Sequence, residues 1–339
     1  MLKKILLITL MIMVAAITAK HNSNRRFSES HYKSQFIEWM DQRQILYGSN
    51  DFQKRYDNFK SNVDYIAKWN EANRDTVLGL TDFADLSNYE YRQTYLGLDI
   101  DKTQQYFEST DKYDQIFVGD LPNHLDWRVQ GAVSHVKDQG RCGSCWSFST
   151  VGAIEGANFI ATGKMTTLSE QQLVDCSKDY GNEGCNGGLM EPSFQYVIDN
   201  GGINTEEGYP YTATDTAACR YDSNSIGATM SAIGNVTNFS EDSLLRAVQQ
   251  APVAVAIDAG NRSFQLYKSG VYYEPACSTT RLSHAVLLVG YGEDLTSTHS
   301  QYWIVKNSWS TKWGNQGYIY MSRGSNMCGI ASESSYAII

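Results

Sequence analysis

Clustered positive charge is missing from this chain. Its 339 residues hold 28 Lys/Arg against 37 Asp/Glu, a formal net charge of −9, with no basic stripe. Nucleic-acid recognition needs a basic face, so that class is excluded. Membrane-length apolar runs are missing as well. A spanning helix takes about 18 or more apolar residues; the run from Ile5 to Ile17 stops at Lys20, and no later run is long enough. Cysteine is absent before Cys142, so the first third of the chain is built without disulfides. No second close Cys/His pair joins Cys142 and Cys145, which argues against zinc. The polar, loop-like sequence before them argues against a thioredoxin-like redox unit. Internal repeats and low-complexity tracts are absent, and no metal or organic cofactor is implied.

What is present points to the secretory route. Lys3 and Lys4 precede the Ile5–Ile17 run, and small residues surround a cleavage point near Ala19, so residues 1–19 read as a signal peptide. The mature protein is then expected to be soluble, a monomer with no membrane partner. Secretion permits disulfides. Seven cysteines follow residue 141: Cys142, Cys145, Cys176, Cys185, Cys219, Cys277 and Cys328. An odd count leaves at least one thiol unpaired within a monomer. Sequons at Asn235, Asn238 and Asn261 are candidate glycosylation sites.

The length allows more than one compact unit, at roughly 100–200 residues per domain. Residues from about 20 to 120 are polar, rich in Tyr and Asp, and free of cysteine. Within them Asp51, Arg55, Phe59, Asn62, Ile66 and Asn70 recur at helical spacing, a mixed polar and apolar stripe suited to docking on a partner surface. Gly79, Thr81, Phe83 and Asp85 alternate as a short strand would. From Leu121 glycines become dense and Asp126-Trp127-Arg128 opens a new unit. The pattern predicts a helix from Cys145 to about Ala161, with Ser144 as N-cap and Thr162-Gly163 as the stop. A second helix is predicted over Leu168–Val174, capped at Ser169. After about Ser231 short β-rich runs follow, at Val253–Ile257, Ala285–Val289, Tyr302–Val305 and Tyr318–Met321. A helical half before a β-rich half suggests two lobes with a cleft between them.

The run Gln139-Gly140-Arg141-Cys142-Gly143-Ser144-Cys145-Trp146 carries the chemistry. It sets a thiol at a helix start, six residues after an amide donor. A cysteine attacks as thiolate, and a helix N-terminus or a neighbouring imidazolium lowers its pKa. Of the six histidines, His21 and His31 fall in the N-terminal segment, His124 and His135 in loops, and His299 in the polar loop Glu293–Ser300. His284 alone opens a strongly apolar run. The next strand ends in Asn307-Ser308-Trp309, where an amide oxygen could fix the imidazole and an indole could cover the bond from water.

These motifs resemble the precursor of a papain-family cysteine protease of the cathepsin L-like group, across nearly everything after the signal peptide. The resemblance rests on Gln139, Cys142-Gly143-Ser144-Cys145-Trp146-Ser147-Phe148, Cys185-Asn186-Gly187-Gly188, Gly208-Tyr209-Pro210-Tyr211, His284-Ala285-Val286, Asn307-Ser308-Trp309 and Trp313-Gly314. The N-terminal stripe resembles the family's propeptide helix motif, with Asp51 where Glu is usual. The Gly79–Asp85 stretch resembles a second propeptide motif, with Thr81 where Asn is usual.

The resemblance implies an α+β, papain-like two-lobed fold. An inhibitory helical propeptide would occupy residues 20–120 and a peptidase domain residues 121–339. That domain divides into a helical lobe over about 121–230 and a β-barrel-like lobe over about 231–339. It also implies roles: Cys145 as nucleophile, His284 as general base and acid, Asn307 as its orienter, and Gln139 with the Cys145 N–H as oxyanion hole. His284 lies 139 residues and Asn307 162 residues after Cys145, the second beyond the roughly 130–150 usual in this group, an excess the Glu293–Ser300 loop explains. Gly187 and Gly188 would pair with a substrate backbone. Leu189, Met190 and Leu282 would line or border the pocket for the second residue before the scissile bond, with Glu333 at its floor. Ser283 stands where Asp or Asn is usual. Implied disulfides are Cys142–Cys185, Cys176–Cys219 and Cys277–Cys328, leaving Cys145 free.

The implied protein is a zymogen endopeptidase acting through a thioester acyl-enzyme in a lysosomal, endolysosomal or extracellular compartment. Its partners would be polypeptide substrates, its own propeptide and cystatin-like inhibitors. Acid would loosen the propeptide by protonating its carboxylates. A scaffold that had lost catalysis would lack one of the three central residues, and all are present. An exopeptidase would carry a blocking histidine loop or a tethered propeptide remnant; no His pair follows Cys176 and no spare cysteine exists for a tether.

Overall fold

The computed structural model describes residues 25–98, 121–215 and 218–339, so the expected signal peptide over 1–19 lies outside the described residues. The N-terminal segment folds on its own aromatic core. Helices α1 (Glu29–Arg43) and α2 (Ser49–Ala72) bury Tyr32, Phe36, Trp39, Tyr56 and Phe59 between them. The predicted stripe on α2 splits its duties. Phe59 enters this core, and Arg55 pairs with Asp85 and Glu90. Asn70 clasps both backbone groups of Leu78 at 2.9 and 3.0 Å. That clasp ends the short strand β1 (Thr76–Leu78).

The strand expected over Gly79–Asp85 does not form. The chain turns instead, with Ala84 N–H donating to the Thr81 carbonyl and Thr81 Oγ1 accepting from Phe83 N–H. Thr81 is buried and its hydroxyl donates to the Gln265 carbonyl, so the alternation reflects a turn gripping a second surface. Helix α3 (Asn88–Tyr95) follows, started by a Ser87/Glu90 capping box.

The remainder has helices first and strands later. Strand β2 (Leu125–Asp126) precedes α4 (Cys145–Thr162), α5 (Glu170–Cys176) and α6 (Met190–Asp199). The α4 residues Cys145 to Asn158 are buried all round, as befits a central helix rather than a surface one. Gly163 ends it in the left-handed conformation, φ 73°. Helix α5 begins two residues later than its apolar pattern suggested, because Ser169, the expected cap, accepts from Gln172 N–H and leaves Leu168 outside. Strands β3 (Ile203–Asn204) and β4 (Ile226–Ala228) form a small separate pair.

A single sheet organises the rest. Its strands are β5 (Ala232–Asn235), β6 (Val253–Ile257), β7 (Tyr267–Tyr272), β8 (His284–Glu293), β9 (Gln301–Lys306), β10 (Tyr318–Ser322) and β11 (Ser334–Ile338), with helices α7 (Glu241–Val248) and α8 (Arg262–Gln265) between them. Their order is β1-β7-β10-β9-β8-β6-β11-β5, with β2 paired to β8. Thus β1 of the N-terminal unit completes one edge, antiparallel to β7. Disulfides join Cys142–Cys185, Cys176–Cys219 and Cys277–Cys328, and Cys145 is the free thiol. Helix α4 packs on β8, with Ser149 Oγ donating to the Val286 carbonyl at 2.7 Å. That contact brings the N-terminus of α4 to the start of β8.

Candidate active site

Cys145 is the first residue of α4, fully buried, and its Sγ accepts from the Ala285 N–H at 3.5 Å. The loop before it is braced by the Cys142–Cys185 bridge and by Gly143 N–H donating to the Cys185 carbonyl at 2.9 Å. Ser144 occupies the N-cap position, but its hydroxyl bonds Tyr211 OH at 2.6 Å and caps nothing. The helix donors near the sulfur therefore stay free of a side-chain acceptor.

His284 opens β8, opposite Ile257 of β6. Its Nε2 lies 2.8 Å from Asn307 Oδ1, while Nδ1 has no hydrogen-bond partner among the described residues. Asn307 follows β9; its N–H donates to the Gly317 carbonyl at 3.0 Å, and Oδ1 also accepts from Ser308 N–H. The Trp309 indole stacks over the imidazole at 4.6 Å between ring centroids, and Phe264 meets it edge-on at 6.3 Å. Gln139 is fully buried. Its Oε1 accepts from Ser308 Oγ at 2.7 Å and Trp309 Nε1 at 3.0 Å, so Nε2 must face the other way. There it donates to the carbonyls of Cys142 and Tyr95, at 2.8 and 3.1 Å. Tyr211 and Ser308 were read from the sequence only as parts of family motifs and Phe264 not at all; their side-chain contacts, which spacing does not reveal, bring them to the site.

The N-terminal unit lies across this site. Phe83, Tyr91 and Tyr95 meet Trp309 edge-on at 5.0, 5.6 and 6.5 Å. Beyond α3 the extended chain runs through the cleft: Gly188 N–H donates to the Gly97 carbonyl at 3.1 Å, and Leu98 N–H to the Ser283 carbonyl at 3.2 Å. A side chain on Gly97 would collide with the Gly143 carbonyl. One on Gly188 would strike the Trp146 ring. Burial sets the titration behaviour beneath this cover. It pushes the Cys145 thiol up, against the backbone donors of Ala285, Gly97 and Trp146. It takes the His284 imidazole down to about 4, against the pull of Asn307. Both shifts favour the uncharged forms.

Along the cleft Met190 and Leu282 are buried, Leu189 and Gly188 half-buried, and Leu98 packs into the same apolar cluster. Glu333 is 9% exposed. Burial, reinforced by the carboxylate of Glu191, raises its pKa to about 8. Glu191, at the start of α6, was not anticipated from the sequence. Asn238, one of the three sequon residues, donates to Glu333 Oε1 at 3.5 Å; Asn235 and Asn261 are half-buried, in β5 and before α8. Among the described residues no cluster of His, Cys, Asp and Glu suits a metal, and no helix is long and apolar enough to cross a membrane.

Known proteins match this architecture. A family model for papain family cysteine proteases matches residues 121–338, and one for the cathepsin propeptide inhibitor domain matches residues 36–91. The chain is 47% identical to cysteine proteinase 5 of Dictyostelium discoideum, over 99% of this chain and 100% of that protein. The solved proform of the Amb a 11 cysteine protease, a major ragweed pollen allergen, superposes with a TM-score of 0.83 at 39% identity, covering 92% of this chain and 96% of that one. Digestive procathepsin L 3 from the larval midgut of Tenebrio molitor gives 0.81 at 38% identity, covering 91% and 99%. With the inhibitor domain ahead of the peptidase domain, this chain belongs to the papain family of cysteine proteases and is made as a proenzyme.

Proposed function

We propose that the mature enzyme is an endopeptidase in which Cys145 Sγ attacks the scissile carbonyl, His284 moves the proton and Asn307 holds His284. The observation that carries this reading is the 2.8 Å His284–Asn307 bond roofed by Trp309, with the Cys145 sulfur on the N–H of the adjacent Ala285. The oxyanion of the tetrahedral intermediate is held by the Cys145 N–H and by Gln139 Nε2, whose bond to the propeptide carbonyl of Tyr95 is released on maturation. His284 then protonates the leaving amine nitrogen, leaving a thioester. It next takes a proton from the water that attacks that thioester, which frees the acid and restores the thiol.

Substrates are polypeptides bound extended, pairing with Gly188 and the Ser283 carbonyl where residues 97 and 98 now lie. Leu189, Met190 and Leu282 border the pocket for the second residue before the scissile bond, with Gly187 beside it and Glu333 at its floor. Apolar groups suit its walls, and an Arg guanidinium suits its end. Residues 1–19 act as signal peptide, Asn235, Asn238 and Asn261 are candidate glycosylation sites, and the enzyme works as a monomer in an endolysosomal or extracellular compartment, subject to cystatin-like inhibitors.

Acid incubation of purified precursor, wild type and Cys145→Ala, followed by N-terminal sequencing and a mass-spectrometric digest of a protein substrate, tests the reading. Internal cleavages by wild type and none by the variant are expected. Release of terminal residues alone would make it an exopeptidase, and activity in Cys145→Ala would remove the nucleophile assignment.

A further inference from the structure

Helix α8 adjoins the catalytic wall, since Phe264 packs edge-on against both Trp309, at 5.8 Å, and His284. Arg262 and Gln265, three residues apart, share one face of its single turn. In the proenzyme that face is covered. Gln265 Nε2 donates to the carbonyls of Phe83 and Leu86 at 3.0 and 3.1 Å. Arg262 donates from Nε to Asn62 Oδ1 at 2.8 Å and from Nη2 to Ser61 Oγ at 2.9 Å, and its guanidinium lies 4.7 Å from the Tyr65 ring centroid.

Every one of those Arg262 partners belongs to the propeptide, and every one is neutral. Among the described residues the guanidinium forms no ion pair. Acidic residues of the peptidase domain on either side of α8 are engaged elsewhere. Asp258 accepts from Gly260 and Ser278 N–H, and Glu274 from Ser263 Oγ and Ala276 N–H. Loss of the propeptide therefore strips Arg262 of its acceptors and leaves an ion whose best replacement is a carboxylate.

The path of the propeptide says which part of a substrate would meet it. From Tyr95 at Gln139 the chain passes Gly97 at Gly188 and reaches Leu98 at Ser283, the side assigned above to residues before the scissile bond. The turn and helix preceding Tyr95 cover Trp309 and Gln265, and α2 covers Arg262, on the other side, where the leaving portion of a substrate must lie.

We propose that Arg262 is a specificity residue of the mature enzyme that binds an Asp or Glu side chain on the leaving-group side of the scissile bond. This rests on the cysteine-endopeptidase reading of the same cleft. Arg262 touches neither reacting atom and is not required for chemistry.

The test uses mature wild-type enzyme and the Arg262→Gln and Arg262→Glu variants, all matured from the full chain. Quenched peptides share one sequence before the scissile bond and carry Glu, Gln or Lys at each of the first three positions after it, assayed at about pH 6, where Glu is ionised. Wild type should favour Glu over Lys about five-fold in kcat/KM at one of these positions at low salt, and less at about 0.5 M salt. Arg262→Gln should bring the ratio close to one, and Arg262→Glu should invert it. A dipeptidyl aminocoumarin, with no residue after the cleaved bond, should be cut equally by all three. Normal coumarin cleavage with the same Glu/Lys ratio in wild type and variants overturns the proposal alone. No cleavage of any substrate by wild type overturns the endopeptidase reading and this proposal with it. If a variant fails to mature, wild type decides: a ratio close to one at low salt overturns the proposal.

Discussion

The carbonyl of Gly97 accepts from the N–H of Gly188 at 3.1 Å, directly beside the Gly143 backbone. The propeptide thus uses backbone pairing of the kind a substrate strand uses, and it approaches so closely that no Cβ fits. Gly97→Val should lift the chain from the cleft. We expect its purified proform to hydrolyse a small fluorogenic substrate near neutral pH at least ten-fold faster than wild type. Equal rates would mean that Gly97 is not where inhibition is exerted.

Acid should open the proenzyme through His284 as well as through propeptide carboxylates. Burial holds the His284 imidazole down to about 4 in the covered site, so whatever share of that burial the propeptide supplies favours the covered state while the ring stays neutral. That preference is lost as pH falls toward about 4, because the uncovered, better solvated ring takes up a proton first. Glu90 behaves otherwise: burial opposes its charge, but Lys54, Ser87 and Arg55 hold it down to about 2, so it remains ionised through this window. In a Cys145→Ala proform, which cannot cleave itself, propeptide opening followed by hydrogen exchange should rise between pH 6.5 and 4. Adding His284→Gln should flatten that rise; an unchanged profile would assign it to the carboxylates alone.

Gln139 has its oxygen held by Ser308 and Trp309 and its Nε2 on the carbonyls of Cys142 and Tyr95, so on the proposed reading loss of the propeptide frees one donor for the oxyanion. Gln139→Ala should lower kcat by about 10²–10³ with a smaller change in KM. A loss confined to KM would show a binding role only.

Glu333 should give the pocket a pH-dependent taste for Arg. Burial and then Glu191 raise its pKa to about 8 in the covered site, so the acid is neutral at low pH and ionises as pH rises. The Arg/Phe ratio measured with paired fluorogenic dipeptides should therefore climb with pH in wild type and stay flat in Glu333→Ala. Glu191→Gln should move the midpoint down, since a repelling carboxylate is gone. A flat wild-type profile would place Glu333 outside the pocket.

Legibility from the sequence differed between these features for physical reasons. The strand starting at His284 and the one ending before Asn307 could be read because an apolar run flanked by single polar residues has few alternatives. Their meeting at 2.8 Å is a matter of strand register, which the family resemblance suggested and periodicity could not. The Gly79–Asp85 alternation misled because a turn whose Thr81 and Phe83 side chains face another domain has the same period as a strand. Ser144 was legible as the residue before a helix, but its hydroxyl was claimed by Tyr211, 67 residues away. Long-range claims of that kind also hid Glu191 behind Glu333 and Arg262 above Asn62.

The pairing of β1 with β7 has a consequence for the enzyme's life before activation. In the order β1-β7-β10, removing β1 leaves Tyr267–Tyr272 as a bare sheet margin with unpaired main-chain groups. Such a margin is a template for another chain. The precursor therefore travels with this sticky border sealed by a strand of only three residues, Thr76–Leu78, too brief to recruit a further strand itself. After cleavage the border is blunted by Gly270, whose φ of 84° bends it out of line, and by the charge of Lys268. The propeptide thus closes a sheet edge as well as the cleft.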